Sequence, residues 1–351
     1  MDSLTQVVLG ASVAVATMGR RTAAWKAALW GGVAGTLPDL DALIDHGDAV
    51  LNMVRHRAES HALLYLLLAA GPLGWLIARI HGEMPLWRRW WWAMTLVLLT
   101  HPLLDAMTVY GTQLLLPFTD RPYGVGSIFI IDPAYTLPLL AGLMLALLRP
   151  SGGTRANNLG LALSTVYLGW SVLAQAWVSD HARDSLARAS LGHERLLVTP
   201  SPFSTMLWRV VAVDGEQYHE GYYALLDQGR PIDFRSHDRG AGLLQAHGDH
   251  PQVQRIARFS DGFYRLREQD GELRLTDLRM GQEPFYVFDF NIGPALQQAA
   301  ERWPAAQQQG QRVNLDLDLD LGLPWLRARM AGEDLPPLSD WASPSLKPGL
   351  Q

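Results

Sequence analysis

Residues 90–105 read Trp-Trp-Trp-Ala-Met-Thr-Leu-Val-Leu-Leu-Thr-His-Pro-Leu-Leu-Asp. The apolar run suits a membrane-crossing helix, yet it closes on His101 and Asp105. A charged group at such depth is unfavourable by ~2.5 kcal/mol or more unless something compensates it. Side chains four apart stack on one helix face, so His101 and Asp105 can reach a single ion. No Lys or Arg occurs between Arg89 and Arg121, which rules out an intrahelical salt bridge to Asp105. A divalent cation shared with His101 is the compensation expected. Pro102, between them, is expected to perturb the helix at its preceding turn.

Outward from this stretch, apolar runs at 4–18, 23–37, 61–80, 90–116, 129–148 and 159–178 give about six candidate spans. A bilayer core takes ~20 residues of helix, so the first two are short. Gly10, Ala11, Ala14, Gly31, Gly32 and Gly35 would let those two pack closely as a hairpin. Trp87, Trp90, Trp91 and Trp92 beside Arg88 and Arg89 read as an interfacial belt. Arg20, Arg21 and Lys26, then Arg79, Arg88 and Arg89, then Arg149 and Arg155 fall in alternate loops, which the positive-inside rule makes cytoplasmic. In a multi-pass protein of a bacterial inner membrane, the periplasmic face then receives Met1, residues 39–60, 117–127 and everything after Val178. Arg55, Arg57 and Arg121 depart from that pattern. Residues 1–6 lack a basic region, so the first apolar run does not read as a cleavable signal.

A mean hydropathy of +0.03 hides a split: beyond residue 178 the chain turns charged, polar and rich in turn residues. Runs at 208–213, 218–226, 262–268, 273–278 and 285–290 are aromatic and β-branched. Asp214-Gly215, Asp261-Gly262 and Asp270-Gly271 are hairpin signals. The fold class expected is therefore an α-helical integral membrane domain (1–178) followed by a soluble, strand-rich α+β domain (179–335) with no catalytic residues. Residues 314–321 alternate Leu with Asp and read as a solvated acidic segment or an edge strand, and the Pro/Ser-rich tail 336–351 as poorly ordered. A net charge of -5 argues against nucleic acid as a partner. With no cysteine, a metal must take nitrogen and oxygen ligands.

Candidate ligands converge on one membrane face. Asp39 and Asp41 lie in a Gly/Pro-flanked turn, His56 and His61 lead into the third span, and Asp2 and Gln6 open the first. Asp39, Asp41, His56 and His61, with His101 and Asp105, make a divalent-metal site expected to hold Zn²⁺, one ion or two. Asp41 is either a bridging ligand or the base that accepts a proton from water. Glu59 is a second candidate base or a salt-bridge partner of Arg55, and Arg57 a phosphate ligand or a surface charge. His56 and His61 are five apart, so they are not a metalloprotease helix, which needs four.

Met1-Asp2-Ser3-Leu4-Thr5-Gln6, Gly35 through Asp41, His56-Arg57-x-x-Ser60-His61, His101-x-x-x-Asp105 and Tyr110 through Leu114 together resemble the YdjM-like membrane-bound metal-dependent hydrolases, as do Phe129 through Pro133 and Ser201 through Trp208. The resemblance covers roughly residues 1–230. It implies a ligand set of Asp39, His61, His101 and Asp105, with Asp41 and His56 as neighbours. The His-x-x-x-Asp element is also similar to that of zinc phospholipase C and P1-type nucleases. Gln6 stands where many relatives carry His.

Two functions fit. One is a membrane-bound, metal-dependent hydrolase of a phosphoester, from a lipid or an envelope-associated molecule. The other is a non-enzymatic membrane protein with a structural metal site and a C-terminal interaction domain. A transporter fits less well, because the spans are few and no inverted repeat is visible. Membrane lipid is the expected partner; substrate and oligomeric state are left open.

Overall fold

The computed structural model describes residues 1–149, 152–295, 310–313 and 319–341. They form two compact units: residues 1–44, 55–173 and 202–204 make the first, and 45–54, 174–201 and 205–351 the second. A helical N-terminal region followed by a strand-rich C-terminal domain is what the chain builds.

The helices in order are α1 (Ser3–Met18), α2 (Ala24–Thr36), α3 (Ala49–Arg55), α4 (Leu63–Ile80), α5 (Trp87–Ala106), α6 (Pro133–Leu148) and α7 (Gly153–Arg188). Tight 3-10 turns at Pro38–Leu43 and Glu59–His61 carry the loop motifs. Asp2 caps α1, accepting from the Thr5 amide at 3.0 Å, and Asp132 caps α6 through the Ala134 amide at 2.9 Å. Each satisfies a backbone donor that the first helical turn leaves without a partner. The small-residue hairpin forms as its sequence implies. A methyl on Gly10 would lie 2.3 Å from the Gly31 carbonyl oxygen, and one on Gly31 equally close to that of Gly10.

Two helices, α4 and α7, are long and apolar enough to cross a membrane by length and composition, where the sequence reading expects about six spans. The difference has local causes. Helices α1 and α6 have 16 residues each, and α2 has 13. The fourth apolar run leaves the helix at Ala106 rather than residue 116, where Gly111 takes φ 102° and Thr112 bridges Tyr123. Within α5, Arg88, Arg89, His101 and Asp105 lower the hydropathy, and the helix continues through Pro102. Of the expected aromatic belt, Trp90 is instead fully buried among Met94, Val97 and Ile77, with its Nε1 donating to Glu83 at 2.9 Å.

Residue 178 is not a break in the backbone. Helix α7 runs through it because Ala174, Val178 and Ala182 are buried in a core with Val198, Trp208 and Tyr223. Residues 45–54 join the same unit through Asp48, which accepts from Gln252 Nε2 at 2.6 Å and the Gly310 amide at 2.7 Å.

The second unit contains an antiparallel sheet ordered β1-β2-β3-β4, from β1 (Arg195–Pro200), β2 (Leu207–Asp214), β3 (Gln217–Ala224) and β4 (Arg235–Asp238). A second sheet is ordered β10-β9-β6-β5, from β5 (Tyr264–Gln269), β6 (Glu272–Asp277), β9 (Asp289–Pro294) and β10 (Gln311–Arg312), with β7 (Gly281–Gln282) and β8 (Phe285–Tyr286) forming a short ribbon. Asp214-Gly215 and Asp270-Gly271 close the β2–β3 and β5–β6 hairpins. Asp261-Gly262 instead joins a helix to β5, because Val253, Ile256 and Phe259 of Pro251–Phe259 make a buried helical stripe. Residues 319–321 of the alternating Leu/Asp segment begin a helix, Leu319–Met330, and 314–318 lie outside the described residues. The tail begins with a short helix, Leu338–Trp341, whose Leu338 packs with Trp325; 342–351 lie outside the described residues.

Candidate metal centre

The 3-10 turn after α2, the 3-10 turn before α4 and the last turn of α5 bring four side chains together. Asp39, His61, His101 and Asp105 each offer one atom, and the four atoms lie within 4.8 Å of one another. The His61 and His101 Nε2 atoms are 3.1 Å apart. Oδ2 of Asp105 is 3.2 Å from His61 Nε2 and 3.4 Å from His101 Nε2. Oδ1 of Asp39 is 3.5 Å from both rings. An ion held tetrahedrally at ~2.0–2.1 Å needs ligand separations of ~3.3–3.4 Å, so these edges match such a shell.

The far side of each ring fixes which nitrogen is free. His101 Nδ1 donates at 2.7 Å to the Gly35 carbonyl, one of the acceptors left unpaired at the end of α2. His61 Nδ1 donates at 2.8 Å to Ser60 Oγ, whose own O–H donates to Asp41 Oδ2. Both rings therefore turn Nε2 toward the two carboxylates, the orientation that outer hydrogen bonds give metal-ligating histidines. Oδ2 of Asp105 is buried and makes no hydrogen bond. Two ring nitrogens and two carboxylate oxygens converging on one point, one of them orphaned, are the chemistry of a cation site.

The other expected residues fall around this group. Asp41 accepts from His56 Nδ1 at 2.8 Å, from the Arg57 amide at 3.0 Å and from Ser60. Burial works to raise its pKa, but hydrogen bonds from His56, His61 and Ser60 outweigh that and hold it well below the usual carboxylate range. Asp39 is depressed likewise, burial being outweighed by its bonds to His101 and His61. Glu59 is exposed and, like Asp41 and His56, outside the four-residue group. Asp2 is engaged as the α1 cap.

Sequence reasoning undervalued Arg57. It is buried, with Nη2 3.3 Å from Asp105 Oδ1, Nη1 donating to Thr108 Oγ1 at 3.1 Å and its guanidinium 4.9 Å over the Tyr110 ring. Its backbone adopts φ 67°, a left-handed conformation that costs a non-glycine residue energy and is concentrated at functional sites. The Met1 ammonium also pairs with Asp105, and Gln6 Nε2 donates to the same carboxylate at 3.1 Å. Asp105 thus has positive partners from outside its own helix, Arg57 and the Met1 ammonium, besides the cation its depth calls for. An Arg directly after His56 and four residues before His61 was the available signal.

Comparison with known proteins gives the family. The model of the YdjM inner membrane protein family matches residues 1–178, half of the chain, and the chain belongs to that family. The uncharacterized protein YfhP of Bacillus subtilis is 22% identical over 303 residues, 82% of this chain and 89% of that protein. No solved structure matches. Family membership carries an inner-membrane location; the likeness to zinc phospholipase C and P1-type nucleases lies outside it.

Proposed function

We propose that this member of the YdjM family is a membrane-embedded, divalent-metal-dependent hydrolase acting on a phosphoester of a lipid or an envelope-associated molecule. The observation that carries the reading is the convergence of Asp39 Oδ1, His61 Nε2, His101 Nε2 and Asp105 Oδ2, each histidine nitrogen lying 3.1–3.5 Å from the other three atoms. These four are the ligands in this account. A divalent ion of the zinc type bound there would lower the pKa of water to about 7 and polarise a phosphoryl oxygen. One ion accounts for the four-atom group.

The chain's own groups supply the rest. Asp41 is committed to three donors, so it orients its neighbours rather than acting as the base. His56 is the group placed to move a proton: Asp41 holds its Nδ1–H, which leaves Nε2 as the acceptor, and the ring lies 6.0 Å from His61 centroid to centroid. Glu59 is not given a role. Asp39 is the most exposed ligand side chain, at 20% against 0–1% for the other three, so substrate approaches over it.

Membrane embedding is supported by exposed apolar side chains on α4 (Leu64, Leu67, Leu68, Trp75, Leu76) and on one stripe of α7 (Leu159, Leu163, Val166, Trp170). We place the metal end and the C-terminal domain in the periplasm. A C-terminal alkaline phosphatase fusion should be active and a C-terminal GFP fusion dark; the reverse pattern removes the periplasmic assignment. Hydrolysis of bis(p-nitrophenyl) phosphate by metal-loaded but not chelated protein, slowed in His56→Ala with metal retained, tests the enzymatic reading. The structural-metal alternative keeps one observation in its favour, since four protein ligands already complete a shell, as closed structural sites do. It predicts bound metal without turnover.

A further inference from the structure

We propose that the end of the helical unit opposite the metal centre is a binding surface for anionic phospholipid headgroups. The inference rests on the membrane placement above but not on catalysis. The Asp2 amide donates to the Ile130 carbonyl at 3.0 Å, so α1 and α6 both start at the metal end. At the other end, Thr22 of the α1–α2 turn and Lys26 of the first turn of α2 each reach Glu83 at 2.8 Å, and Trp30 Nε1 donates to His81 at 2.7 Å. These contacts gather the end of α1, the start of α2, the end of α4 and the start of α5 into one surface. Along α5, Arg89 lies about 24 Å from Asp105 at ~1.5 Å rise per residue, close to the thickness of a bilayer core.

Arg20, Arg21, Arg79, Arg88 and Arg89 are all exposed there. Glu83 is the one carboxylate in residues 18–30 and 75–92. It is already taken by Lys26, Thr22 and Trp90. Among the described residues none of the five arginines is ion-paired. The guanidiniums of Arg79 and Arg88 instead lie 5.7 Å over the rings of Trp75 and Trp87. Trp25, Trp75, Trp87 and Trp92 are exposed beside them. A planar guanidinium with its fork free matches a phosphate bidentately. Indoles at the same level seat in the headgroup region, with their bodies toward the acyl chains. Five unpaired guanidiniums interleaved with four exposed indoles therefore fit a surface of lipid phosphates better than a free ion, which has no use for the tryptophans.

The test uses the full chain in phosphatidylcholine nanodiscs, with quenching of tryptophan by brominated phosphatidylglycerol or brominated phosphatidylcholine as the readout. The expected result is tighter binding of phosphatidylglycerol, with the preference falling roughly fivefold for each arginine removed. Arg88→Gln/Arg89→Gln and, separately, Arg20→Gln/Arg21→Gln serve as variants; all four side chains are exposed, and an unchanged melting temperature in phosphatidylcholine shows that the fold is kept. Equal binding of both lipids by the wild type, an undiminished preference in both variants, or loss of the preference in millimolar inorganic phosphate would overturn the headgroup surface. Failure to insert into either bilayer would overturn the membrane placement itself.

Discussion

Arg57 Nη2 lies 3.3 Å from Asp105 Oδ1, both side chains being shut away from water at 6% and 0% exposure. Removing one member of a buried ion pair leaves the other uncompensated, at a cost of about 3–5 kcal/mol. Because the Met1 ammonium also reaches Asp105, Arg57→Met should fall at the low end, ~3 kcal/mol, in metal-free protein. Excess divalent metal should restore much of that loss, since a cation on Asp105 takes over the guanidinium's charge. Thermal unfolding in detergent, with chelator and with metal, measures both effects; a variant equally destabilised in the two conditions would separate Arg57 from the metal centre.

Close approach of α1 and α2 leaves no room for a side chain at Gly31. A Cβ there would meet the Gly10 carbonyl oxygen at 2.3 Å and the Ala14 methyl at 2.6 Å, most of it unyielding backbone. Gly31→Val should cost more than the ~1–3 kcal/mol of ordinary overpacking. It should also loosen the metal centre, because α2 supplies the Gly35 carbonyl that orients His101. Gly71→Ala, where nothing lies within 4 Å of the new methyl, is the matched control and should melt no lower than wild type, since alanine favours the helix over glycine.

Asp41 sets a pH dependence whose sign follows from its depressed pKa. A carboxyl lowered on folding contributes stability above its unfolded pKa of ~3.9, and that contribution is lost as pH falls toward the folded value. Metal-free Asp41→Asn should therefore melt below wild type at pH 6, with the gap narrowing as both are taken below about pH 4. A gap that stays constant with pH would show that Asp41 acts by packing and not by charge.

In the second unit, Arg209 Nε donates to Glu220 Oε1 at 2.5 Å with both side chains buried, and Nη1 donates to the Leu278 carbonyl at 2.7 Å. Arg209→Met alone should destabilise by about 3–5 kcal/mol, and Arg209→Met with Glu220→Leu by less, since the double variant leaves no lone charge. Melting of the full chain compares them. Metal content should be unchanged in both, because neither residue is in the centre.

Much of the fold was legible because its signals are local. Gly10, Gly31 and Gly35 announced a tight hairpin, and Asp214-Gly215 and Asp270-Gly271 announced two β-hairpins. Asp261-Gly262 misled because the dipeptide fixes a turn and not what precedes it; the amphipathic stripe of Val253, Ile256 and Phe259 decided that element. Span lengths were overread because hydropathy does not see where a helix stops, as α5 does at Ala106. In the centre, the His101–Asp105 spacing was readable from helix geometry, while the role of Arg57 was not: its partners Thr108 and Asp105 come from another segment, and its φ of 67° has no sequence signature. Asp41 and Asp39 look alike in sequence, and only the turn, which aims one at His56 and the other at His101, tells them apart.

Metal content of the purified full-length protein tests the central claim most directly. The account predicts bound divalent metal in the wild type, retained in Glu59→Ala and His56→Ala, and lost in both His101→Ala and Asp105→Ala. Wild-type metal content in the His101 and Asp105 variants would contradict it: the four converging atoms would then be an ion-pair network, and no metal centre would exist at this site.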